Sequence, residues 1–77
     1  MNTFSECVIV DGITYNIGQC FFDKTGDDCW KIPFKAIGNN PTFLAVCSEI
    51  APTIGDVRKA VISQVKHLKK IGTINDN

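Results

Sequence analysis

The residues able to do chemistry in this chain of 77 are four cysteines, one histidine and a short acidic cluster. Cys7, Cys20, Cys29 and Cys47 are separated by 12, 8 and 17 residues. A structural zinc site sets two thiolates on one tight turn through a C-x-x-C knuckle, and that spacing is absent. Cys20 and Cys29 could approach each other across a hairpin at Asp23 to Gly26, but the N-terminal MNTFSECVIVDG lacks the charged n-region of a secretory signal, which disfavours disulfides. The simplest reading packs Cys7, Cys20 and Cys47 in strands as small hydrophobes. No cation or helix N-terminus stands beside any of them to stabilise a thiolate.

His67 is the only histidine, at the margin of a basic helix face. A general base needs a nucleophile within hydrogen-bond reach and a third group to orient it, and the sequence offers no such set. Asp23, Asp27 and Asp28 lack the spacing of a calcium-wrapping loop and read as solvated turn residues. There is no glycine-rich phosphate loop. The expectation is a non-enzymatic protein with no catalytic residue, no metal site and no cofactor.

Charge says where such a protein meets others. Eight basic residues balance eight acidic ones, so no field of one sign draws the whole molecule toward nucleic acid or membrane. The balance conceals an asymmetry: residues 1–52 carry a net charge of −3 and residues 53–77 a net charge of +3. No apolar run approaches the roughly 20 residues of a membrane span, so no membrane is expected as a partner and the protein is expected in the cytoplasm.

The basic half is dominated by Thr53 to Gly72, which reads as one amphipathic helix. Thr53 is a good N-cap and Asp56, three residues on, completes a capping box. Lys69 and Lys70 suit the negative end of the dipole, and Gly72 suits the left-handed C′ position. Val57, Ala60, Val61, Gln64, Val65, Leu68 and Ile71 fall within an arc of roughly 140°, the width of a face packed on a core. Arg58, Lys59, Lys66, Lys69 and Lys70 share a second arc of about 120° opposite it. Ile62 projects among those cations, where the pattern asks for a polar side chain, and is expected to be exposed.

Ahead of the helix the period becomes that of strands. A first strand runs from Phe4 to Val10, Asp11-Gly12 is a hairpin signal, and a second strand starts at Ile13, setting Val10 opposite Ile13 and Val8 opposite Tyr15. Gly18 reads as a bulge within one long second strand that resumes at Gln19 to Phe22. Asp23 to Gly26 suits a type I turn closed by a left-handed glycine. In the third strand, ending at Phe34, Trp30, Ile32 and Phe34 share the buried face; Pro33 argues for an edge or a bulge. The fourth strand, Thr42 to Ser48, carries the apolar run Phe43 to Cys47, which suggests burial on both faces or a central place.

The fold class is therefore α+β: an antiparallel four-stranded β-meander, in order β-β-β-β-α, packed against one C-terminal amphipathic helix. Residues 1–72 form a single small domain, which at this size buries only about 60% of its unfolded surface. Residues 73–77 form a flexible tail. Size and composition suit a small accessory protein of a phage or mobile element.

Function follows as an expectation about surfaces. The preferred reading is a protein-interaction module of inhibitor or adaptor type. It docks Arg58, Lys59, Ile62, Lys66, Lys69 and Lys70, an apolar anchor ringed by cations, onto a protein partner with an acidic and apolar surface. An exposed sheet edge is a second docking element of the same reading. The alternative places the five cations on nucleic-acid phosphates, opposed by the neutral total charge and by the lack of a helix-turn-helix or RNP-type strand. A homodimer through a sheet edge is a further expectation.

Overall fold

The computed structural model describes residues 6–26, 28–38 and 40–74. The elements are β1 (Glu6–Val10), β2 (Ile13–Ile17), β3 (Phe21–Asp23), β4 (Cys29–Ala36), β5 (Phe43–Cys47) and α1 (Ile54–Lys70). Every strand pairing is antiparallel. β2 and β3 lie one after the other along the same edge of β4, and β5 takes the opposite edge. Five strands thus build a sheet four strands wide, β1 to β2/β3 to β4 to β5, with α1 across one face. This is the expected α+β meander. Among the described residues no helix is long and apolar enough to cross a membrane.

Local chemistry accounts for each junction. Asp11 and Gly12 take φ +53° and +80°, the pair of left-handed residues a type I′ turn requires, and the turn sets Val10 opposite Ile13 and Val8 opposite Tyr15. Ile17 faces Phe34 while Phe21 faces Lys31, so residues 17 to 21 carry one residue more than the stretch of β4 opposite them. That extra residue is the bulge expected around Gly18, whose N–H donates to the Pro33 carbonyl at 2.7 Å.

Pro33 sits in the central strand rather than at an edge. In an antiparallel ladder a residue's N–H and C=O point to the same side, so the donor that Pro33 lacks would face the bulge, where the ladder is already interrupted. In the 23–26 turn, Asp23 Oδ1 accepts from the Gly26 N–H at 3.0 Å and from Thr25 Oγ1 at 3.1 Å. The left-handed residue there is Asp28, φ +54°, rather than Gly26. Asp27 of the acidic cluster lies outside the described residues, as do the start of the first strand before Glu6 and tail residues 75–77.

The helix begins at Thr53, whose Oγ1 accepts from the Asp56 N–H at 3.2 Å while Asp56 Oδ2 accepts from the Thr53 N–H at 3.0 Å. It ends in a Schellman motif: the Thr73 N–H donates to the Leu68 carbonyl and the Gly72 N–H to that of Lys69, with Gly72 at φ +84°. Ile71 occupies the C-cap and is exposed, because the chain leaves the helix there before the apolar arc turns back to the sheet. Ile74 instead packs against the core.

The core lies between α1 and the inner face of the sheet. Val57, Val61, Val65 and Leu68 meet Val8, Val10, Tyr15, Ile17, Ile32, Phe34, Ala45 and Cys47. Tyr15 packs edge-on against Phe34, ring centroids 6.1 Å apart, and Phe43 joins at 5.9 Å. Trp30 shares this face but lies beyond the helix start, where Phe22 packs edge-on at 5.6 Å and the indole N–H donates to the Ile50 carbonyl at 3.3 Å.

β5 departs from expectation. Its run of five apolar residues reads as doubly buried, yet β5 pairs only with β4 among the described strands, and Leu44 and Val46 are 48% and 47% exposed. Only one face of the sheet has a helix to cover it, so an apolar residue on the other face stays bare.

Candidate interaction surfaces

Two surfaces compete as docking sites, and the helix face is built first. Arg58 stands one turn before Ile62, and Lys69 two turns after it, so all three fall on the flank of α1 that lies over β1. Arg58 Nη2 meets Glu6 Oε1 of β1 at 2.7 Å. Lys69 Nζ meets Asp11 Oδ2 of the hairpin turn at 2.7 Å, and its side chain is only 9% exposed. Between these two clamps Ile62 is half-buried and packs against the core. The expectation of an exposed anchor is therefore corrected: the two cations pair with acidic residues of β1 and its turn, and the isoleucine packs against the core.

Lys59, Lys66 and Lys70 are exposed. Lys66, Lys69 and Lys70 rim a shallow depression of about 380 Å³ around Asp11. The Asp11 carboxyl is held below its ordinary value, first by the hydrogen bond from Lys69, then by the charges of Lys69 and Lys66. The Asp56 carboxyl is also lowered, chiefly by the hydrogen bonds it shares with Thr53. Of the six residues expected at the site, the structure keeps Lys59, Lys66 and Lys70 exposed, ties the exposed Arg58 and the largely covered Lys69 into ion pairs and leaves the isoleucine half-buried.

The second surface is the bare face of the sheet, built by alternation along four strands. Register places Phe21, Lys31 and Val46 side by side across β3, β4 and β5, with Pro33 and Leu44 in the next row. Phe21 is 47% exposed, matching Leu44 and Val46. Lys35 continues the outward side of β4, opposite Asn16. Three large apolar side chains thus surround a lysine on a face that no described element covers. Single exposed hydrophobics are ordinary, whereas a gathered group on one face marks a contact surface. Sequence reasoning missed Phe21, Leu44 and Val46, although the alternation of Lys31, Pro33 and Lys35 already marked the outer face of β4.

Two grooves complete the survey. One of about 510 Å³ runs between β5 and α1, lined by Val46, Cys47, Glu49, Asp56, Lys59 and His67 among others. Another of about 430 Å³ lies by the helix C-terminus, with Tyr15, Phe43 and Ile74 in its wall. His67 is exposed.

None of the four cysteines is in a disulfide, and register carries Cys20 and Cys29 away from each other along β4. Cys7 is exposed on the outer face, which corrects its expected packing, while Cys47 is buried and Cys20 packs against the core. Burial pushes the Cys20 thiol up, and neighbouring Cys47 adds to the rise. Among the described residues no three His, Cys, Asp or Glu side chains gather as a metal-holding group. The chain matches no protein-family model, no curated protein and no solved structure.

Proposed function

We propose that this chain is a small non-enzymatic protein-interaction module that docks the bare face of its sheet, centred on Phe21, Leu44 and Val46, onto an apolar and acidic partner surface. The observation that carries the reading is the side-by-side placement of Phe21, Lys31 and Val46 on the face opposite the helix. The exposed Phe21, Leu44 and Val46 on this face favour a partner with an apolar centre. The partner chemistry is that expected from the helix; the docking face moves to the sheet, because Ile62, Arg58 and Lys69 already have intramolecular partners. Lys59, Lys66 and Lys70, on the helix side of the molecule, then remain solvated. The proposed setting is the cytoplasm, in keeping with four cysteines that form no disulfide.

The test is an affinity capture from nuclease-treated lysate, comparing wild type, Phe21→Glu and the pair Lys66→Glu/Lys70→Glu, each first checked for a native circular-dichroism spectrum. A captured protein lost on Phe21→Glu and kept by the double variant supports the sheet face. The reverse pattern returns the site to the helix. Nucleic acid recovered without nuclease treatment, released by salt and indifferent to Phe21, replaces protein docking with phosphate binding.

A further inference from the structure

The sheet has two outer strands with unequal protection. β1 carries Glu6 and runs into Asp11, and both residues are held by ion pairs from the helix. β5 carries no charge, no proline and no bulge over Phe43–Cys47, and its far edge pairs with no described strand. Proteins ordinarily protect such an edge with lysine, proline, a bulge or a covering loop, because its unpaired backbone groups are a template for another strand. The groove between β5 and α1 leaves room beside the edge for an added strand.

We infer that the occupant of the β5 edge is β5 of a second copy of this chain, paired antiparallel about a two-fold axis through Ala45. The sequence Phe43-Leu44-Ala45-Val46-Cys47 is self-complementary in that register. Leu44 of each copy faces Val46 of the other on the outer side, while Phe43 faces Cys47 and Ala45 faces Ala45 on the inner side. No charged pair is brought together within the strand, and the zero formal net charge adds no long-range repulsion between copies. A foreign strand would have to supply the same five apolar positions; a second copy supplies them by symmetry.

The consequence is a sheet eight strands wide with both helices on one side and antiparallel to each other. The outward Phe21, Leu44 and Val46 of one copy join those of the other in one apolar platform. The dimer edge shares Leu44 and Val46 with the proposed docking face, but mass measurements on the isolated chain test the dimer whether or not a partner is captured.

The experiment is sedimentation equilibrium of the full chain from about 1 µM to about 1 mM, the range over which a small edge interface responds to concentration. Wild type is expected to rise with concentration from the 8.5 kDa monomer to twice that mass. Leu44→Lys/Val46→Lys sets lysine against lysine across the axis and is expected to weaken the dimer at least about 10-fold while keeping its helical spectrum, since both side chains are half-exposed. Leu44→Lys/Val46→Glu sets lysine against glutamate only in the proposed register, and is expected to restore the association. Wild type that stays monomeric throughout, or a charge-swapped variant no more associated than the double lysine, overturns the inference.

Discussion

Asp11 meets two demands in one turn. Its backbone takes the left-handed conformation at φ +53°, which aspartate and asparagine tolerate better than most residues, and its carboxylate accepts from Lys69 at 2.7 Å. Because the folded carboxyl sits below its ordinary value, the ion pair stabilises the protein above about pH 4, and that contribution is lost as pH falls through the lowered folded value. Asp11→Asn keeps the turn and removes the charge. Thermal melts should show the variant below wild type at pH 7, with the gap closing as pH is lowered from about 4 through the lowered folded value, a convergence that an effect on the turn itself would not give. Ile62 shows the limit of reading single residues. A helical wheel places it among cations, and nothing in that wheel reveals that Arg58 and Lys69 pair with Glu6 and Asp11 while the isoleucine between them packs on the core.

At the scale of elements, the features legible in the sequence are those decided within a few residues. The type I′ turn at Asp11-Gly12 fixed a register of five pairs, and Thr53, Asp56 and Gly72 fixed both ends of α1. Removing the N-cap tests how far α1 depends on its own ends: Thr53→Ala leaves the Asp56 N–H without its side-chain acceptor and should cost about 1 kcal/mol. In a domain of this size that lowers Tm by about 4–8 °C, with Thr53→Ser close to wild type. What escaped the local reading was which strand stands where. The unbroken apolar run of β5 looks like a central strand because periodicity measures hydrophobicity and not the number of layers; Pro33 looks like an edge residue because periodicity cannot show that its missing donor faces a bulge. The candidate sheet face escaped for the same reason, since Phe21 and Val46 lie 25 positions apart and meet only through β4.

Over the whole molecule, the order of the chain decides which contacts are cheap. Each strand pairs with its sequence neighbour, counting β2 and β3 as one interrupted strand, and α1 follows directly on β5, so most of the fold closes through short loops. The exception is the return of α1 to β1, where Arg58 reaches Glu6 across 52 positions and Lys69 reaches Asp11 across 58. Those two pairs are also where the negative first half of the chain meets the positive second half. Ion pairs at a protein surface contribute little to global stability, so these two do not hold the protein together, but they act at the one long closure and should govern local opening. Glu6→Lys turns the first attraction into repulsion at that closure. Hydrogen exchange should then quicken about 2–5-fold at the β1 and β2 amides while β4 and β5 keep their protection, because the β4/β5 pair and its packing on α1 involve neither residue. Uniform acceleration across all strands would mean instead that the sheet opens only as one unit and that the closure onto β1 is no weaker than the rest.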